Sequence, residues 1–215
     1  MNKKYILNKK YILKASIVLI IILGCVLVGP IMSNVEKPKY QVVSSEANIE
    51  IRKYNPMIIA LVEVQGERKE AIRGGFKMLA DYIFGNNKSK EDIPMTPPVK
   101  QQNSHEISMT APVMQQKFQE NWQISFIMPS EYNIETLPLP NNENISLKEL
   151  PGKKYIVINF SGVISDQNIA LHEEKLKKYI LENEMHILSP PIYAFYNPPW
   201  TLSFMRRNEI MIEIS

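Results

Sequence analysis

Two stretches in the body of this chain carry helical periodicity, and alternating apolar and polar segments bracket each of them. Residues 67–84 place Ile72, Phe76, Leu79, Ala80 and Ile83 at spacings of three and four. Residues 166–185 do the same with Ile169, Leu176, Tyr179 and Ile180. Strands are expected at 49–54, 57–64, 122–128, 145–150, 154–160, 193–196 and 209–214. The order strands, helix, strands therefore occurs twice. It calls for an α+β domain of two pseudo-repeats, with helices covering a mostly antiparallel sheet and a natural cleft at the junction of the halves. Gly74 and Gly75 interrupt the first helix at a cost of about 1 kcal/mol each relative to alanine. Such a pair fits either tight helix–sheet packing or the close approach of a flat ligand.

Charge is distributed unevenly over the 215 residues. Lys3, Lys4, Lys9, Lys10 and Lys14 all precede the first acidic residue, Glu36, leaving 20 basic and 22 acidic side chains in the remainder. The body is thus not a basic, nucleic-acid-seeking domain. A tandem NKKYIL repeat is followed by Ala15 to Met32, 18 residues without a charge. At about 1.5 Å per residue that nearly crosses a hydrocarbon core of about 30 Å. The lysine-rich leader should remain in the cytoplasm and the body should cross. A cleaved signal peptide and an uncleaved single-span anchor compete here. The lack of an A-x-A-like site favours the anchor. The expected organisation is residues 1–34 as leader and anchor, 35–45 as polar linker, and 46–215 as the folded domain on the outer side of the cytoplasmic membrane.

Much familiar chemistry is missing. Cys25 is the only cysteine and lies in the apolar run, so the body holds no disulfide and no thiolate site. There is no phosphate-binding glycine loop, HExxH, CxxCH or GxSxG. His105, His172 and His186 fit no zinc spacing, and solvation or packing explains each. The 11 methionines suit irregular packing or a variable ligand. Arg206 and Arg207 are adjacent in an extended segment and so point to opposite faces, where one can grip a carboxylate in the cleft and the other a surface glutamate.

Two motifs are specific. Residues 93–99, IPMTPPV, recur as ISMTAPV at 107–113, with a polar hairpin loop between them. Near the end, YNPPWTLSFMRRNEI starts at Tyr196, and its paired prolines exclude Asn197 to Pro199 from a sheet. With IEIRKY, EAIRGGFKMLADYIFG, FIMPSEY, ETLPLPNNENISLKELP and INFSG, these pieces resemble the SOUL haem-binding protein family, in its bacterial form, from about Tyr40 to Ile214. The resemblance implies two βαβ-type repeats forming a distorted antiparallel β-barrel flanked by two long helices, similar to effector-binding domains of the gyrase-inhibitor type. It implies a non-enzymatic, monomeric protein that binds haem or a related porphyrin noncovalently in a shallow apolar cleft. Carried onto this chain, the cleft walls are Arg73, Phe76, Lys77 and Ala80 from the first helix and Tyr196 and Trp200 from the late loop. Some members carry a histidine after the first strand. This chain has Arg52-Lys53-Tyr54-Asn55 there, and Asp81 where a basic residue is expected, so histidine ligation is not expected. Binding of another flat hydrophobic molecule, and a hydrolase using a cleft glutamate with a tyrosine, are the alternative readings.

Overall fold

The computed structural model describes residues 14–16, 34–89 and 104–215. The expected apolar span (mostly), the first MTxPV element and most of the hairpin loop lie outside the described residues. Among the described residues no helix is long and apolar enough to cross a membrane. The strands are β1 Tyr40–Glu46, β2 Ile49–Tyr54, β3 Met57–Gln65, β4 Asn87–Lys88, β5 Val113–Phe118, β6 Asn121–Ile127, β7 Leu139–Pro140, β8 Ser146–Leu150, β9 Lys154–Phe160, β10 Ile192–Phe195 and β11 Asn208–Glu213. The helices are α1 Arg68–Ile83 and α2 Asp166–Glu182.

One nine-stranded sheet, β1-β2-β9-β11-β10-β5-β6-β3-β8, carries the fold, and its ladders are antiparallel. Without β1 the order is a palindrome about the β10–β5 pair. β2 is equivalent to β8, β9 to β3, β11 to β6 and β10 to β5. The expected two-repeat α+β architecture is therefore present. The expected barrel is instead an open, curled sheet: β1 and β8 are its edges and do not pair with each other. A second difference lies in the expected linker, residues 35–45. Tyr40–Glu46 forms β1 on the outer edge of β2. Most of its side chains face solvent, so no apolar alternation marks it.

Alternation along the strands divides the core. Ala60, Val62, Ile124 and Phe126 face α1 and meet Leu79, Tyr82 and Ile83. Ile156, Ile158, Ile210 and Ile212 face α2 and meet Ile169, Leu176 and Ile180. The other face gathers Ile59, Leu61, Met114, Ile127, Tyr155, Val157 and Met211 into a third cluster. Each such fully buried aliphatic side chain contributes about 1.5–3 kcal/mol relative to exposure. Gly75 settles the meaning of the glycine pair. A Cβ there would lie 2.7 Å from Cδ1 of Ile124, so the residue is absent of side chain to let α1 reach β6. Gly74 has no such neighbour, its nearest being Val64 Cγ1 at 3.9 Å.

The two helices start near the pseudo-twofold axis. Arg68, at the start of α1, bonds Asp166 at the start of α2 at 2.7 Å and Gln115 of β5 at 3.2 Å. From there α1 runs over β3 and β6 while α2 runs over β9 and β11. On the opposite face, residues 34–39 form a strap. The carbonyl of Glu36 accepts from Ala111 N at 2.9 Å, its carboxylate accepts from Ser130 N at 3.0 Å, and Lys39 O accepts from Asn55 N at 3.0 Å. Val35 packs onto the third cluster.

Candidate functional site

Two places on the molecule are candidates for a ligand. The first is on the helix face. Arg73, Phe76, Lys77 and Ala80 stand three and four apart on α1 and therefore share one side of it. Phe76 is 41% exposed and touches Phe126 edge-on, with ring centres 5.3 Å apart. Arg73 and Lys77 reach into solvent, and neither has an ion-pair partner among the described residues. Ala80 is half-buried. The sheet register links this side of α1 to the late loop: Phe126 pairs with Val113, and Val113 with Phe195, the last residue before the loop. Trp200 stands on that loop, 58% exposed.

The loop is braced from within. Arg206 donates to the carbonyls of Thr201 at 2.8 Å and Pro199 at 2.5 Å, so it holds the proline turn in shape, and it grips no carboxylate among the described residues. Arg207 N donates to Asn197 Oδ1 at 2.6 Å. The Thr201 hydroxyl is buried in this loop without a hydrogen-bond partner among the described residues, which is rare and costly.

Tyr196 does not join the α1 group. It belongs to the third cluster, on the other face of the sheet, and its hydroxyl donates to Glu209 Oε2 at 2.8 Å. Glu209 is the centre of a buried ionic cluster that the sequence reading did not single out. Arg52 Nη1 and Arg207 Nε reach its Oε1 at 3.0 and 2.9 Å. Asn159, with its carbonyl turned to Arg52 Nη2, also donates to Oε1 at 2.6 Å. Arg52 is 1% exposed and donates further to Tyr54 Oη at 3.0 Å and Glu50 at 2.7 Å. Tyr40 lies beneath the Arg52 guanidinium at 4.4 Å, and Tyr196 beneath that of Arg207 at 4.2 Å. Burial lowers the pKa of both guanidiniums, but Glu209, the neighbouring tyrosines and the side-chain hydrogen bonds together outweigh it, and both end above their ordinary value. Burial, then Glu209, pushes the Tyr196 hydroxyl strongly upward. The signal available in the sequence was strand parity, since Glu209 alternates with the inward Ile210 and Ile212 and so faces away from α2.

Beside this cluster lies the second place, a cavity of about 340 Å³ on the concave face. Met57, Ile59, Leu61, Met114, Ile127 and Met211 give it apolar walls, and Tyr54 and Tyr196 separate it from the ionic cluster. Its charged groups lie towards the rim: Lys148 is exposed, and Lys153 pairs with Glu213 at 2.7 Å. The strap closes one end through Pro38.

The donor set decides which chemistry fits. Both oxygens of Glu209 are filled by donors, so it is an anion locked between guanidiniums and not an available base. His172 stacks on Phe160 at 4.2 Å and bonds Asn168 O, which is packing. Among the described residues no group of three His, Cys, Asp or Glu side chains could hold a metal ion. The α1 side offers what a planar, doubly anionic ring needs: an exposed aromatic ring and, on the same side of the helix, two cations without ion-pair partners among the described residues. It offers no histidine to an iron.

The fold is similar to solved structures at low identity. The C-terminal domain of EcmrR superposes with a TM-score of 0.55 at 11% identity, covering 82% of this chain and 98% of that one. A structure described as a hydrolase from Listeria innocua gives 0.52 at 12% identity, covering 80% and 94%. No curated protein matches the chain significantly. The SOUL heme-binding protein family model matches residues 35–213, nearly the whole described body, and the chain belongs to that family.

Proposed function

We propose that this protein binds haem or a related tetrapyrrole noncovalently, without chemistry, to buffer it or hand it on. The observation that carries the reading is Phe76, exposed on the same side of α1 as Arg73 and Lys77, two cations without carboxylate partners among the described residues. A flat macrocycle covers the ring and presents its propionates to the cations, with Ala80 leaving room beside them and Trp200 as the opposite lip. The proposed setting is a monomer held at the outer side of the cytoplasmic membrane by residues 15–32. Titration of haem into the purified protein is expected to give a saturable Soret shift, weakened about tenfold or more in Phe76→Ala and in Arg73→Ala/Lys77→Ala. Absence of a saturable shift, or equal affinity in those variants, overturns the reading.

The concave cavity favours a second reading, a module for another flat or elongated hydrophobic molecule. A ligand of the native state raises the melting temperature by mass action. A hydrophobic ligand whose thermal shift disappears in Leu61→Trp, and persists in Phe76→Ala, assigns binding to the cavity.

A further inference from the structure

The late loop exposes several apolar side chains. Phe204 is 72% exposed, and Leu202, Met205 and Trp200 stand open beside it in sequence. Val163 joins them through the hydrogen bond from Gly162 N to Ser203 O at 2.9 Å, and Val163 is also exposed. Isolated apolar side chains on a surface are ordinary, but several on one rigid turn mark an interaction site. The turn is rigid because Arg206 ties its carbonyls and the prolines fix its backbone.

The place where the chain enters the domain indicates the partner. Glu36 bridges to Thr110, and Ala111 N bonds Glu36 O. Thr110 and Ala111 lead into Val113, which pairs with Phe195 at the foot of the loop. Arg207 Nη2, at the other foot, reaches Tyr40 Oη at 3.3 Å. The N-terminal chain and the apolar loop therefore leave the sheet at the same end. Only Ser33 and Asn34 separate Val35 from Met32, the last residue of the uncharged 18-residue run. Three residue steps span at most about 11 Å. With that run in a bilayer, this end of the domain is held against the lipid surface.

We infer that the loop carrying Trp200, Leu202, Phe204 and Met205 is a lipid-facing tip that inserts into the bilayer interface. Tryptophan and phenylalanine are suited to that depth, with apolar bodies in the acyl boundary. The inference rests on the reading of residues 15–32 as a membrane segment. It deepens the proposed function, because a hydrophobic ligand dissolved in the bilayer then has the cleft's lip within reach.

The test reconstitutes the full chain into phosphatidylcholine vesicles, with and without lipids brominated on their acyl chains. Trp200 fluorescence is isolated by subtracting the signal of Trp200→Phe. Brominated lipid is expected to quench Trp200 at least twofold, and Leu202→Ser/Phe204→Ser is expected to remove most of that quenching. Phe204→Ser alone, at the most exposed of these positions, gives a smaller loss and guards against misfolding of the double variant. Flotation of the vesicles after a carbonate wash reports the membrane segment separately. A chain that floats with Trp200 unquenched, or equally quenched in the variants, overturns the tip alone. A chain that does not float overturns the membrane segment and the tip with it.

Discussion

Arg52 and Lys148 hold equivalent places on either side of the pseudo-twofold axis, as do Glu209 and Gln123, and Asn159 and Glu63. On one side the three side chains make a buried ionic cluster. On the other, Lys148 is open to solvent and Gln123 simply bonds Glu63 at 2.8 Å on the surface. The backbone is the same, so coverage makes the difference. β1 lines the outer edge of β2 and brings Tyr40 over Arg52, whereas β8 has no strand outside it. A repeat thus becomes functionally lopsided by gaining one edge strand. The sheltered side must satisfy every lone pair it buries, while the open side is free to bind.

Glu209→Gln is the strongest way to break the comparison. It removes the counter-charge of half-buried Arg207 and leaves buried Arg52 with Glu50 alone, and is expected to cost about 3 kcal/mol. Gln123→Ala, at the equivalent place, should stay within about 0.5 kcal/mol. Urea denaturation of both variants checks this, and similar losses would show that coverage does not matter. Next in size is the glycine pair. Gly75→Ala pushes a methyl into Ile124 and should destabilise by about 1–2 kcal/mol. Gly74→Ala has space and should stabilise by about 0.5–1 kcal/mol.

The helix starts sharpen the contrast further. Ser165 caps α2 by accepting from Asn168 N, while Glu67 makes no side-chain cap on α1. Ser165→Ala should cost about 1 kcal/mol, and Glu67→Ser should gain a few tenths. The smallest effect is alkaline. Burial, then Glu213, pushes the Tyr155 hydroxyl up to about 12, whereas in the unfolded chain it ionises near 10. Its contribution is complete below about pH 10 and is lost as pH rises towards 12. Tyr155→Phe should therefore lessen the fall in melting temperature over that interval, while its first-repeat counterpart, Ile59, has no group to titrate.

Both helices and most strands were legible because their apolar periods are unbroken. β5 was not: VMQQKF carries two glutamines, yet it lies at the centre of the sheet, where Gln115 is buried against Arg68. β1 escaped for the opposite reason, being polar at an edge. The α1 residues of the expected cleft came from the family resemblance alone, and the structure places them on one side of the helix. Tyr196 was placed with them because its neighbours in sequence form the loop. Phe195 ends β10 facing α2, and the next residue, Tyr196, takes the opposite face and meets Glu209. The ionic cluster draws Arg52, Asn159 and Glu209 from three strands far apart in sequence, a convergence that local patterns do not encode.

The exchange of outer strands between the repeats has a consequence for how the molecule forms. β2 closes on β9, and β3 waits for β8, so Ile49 meets Ile158 and Met57 meets Leu150. Neither repeat completes its half of the sheet from its own residues. Pairings this distant make folding slow, since a long loop must close before any reward is collected. The emerging chain accordingly stays threadable until the second repeat has appeared. If the domain lies beyond the membrane, as proposed above, a topology that postpones its own completion eases the passage of the chain in extended form.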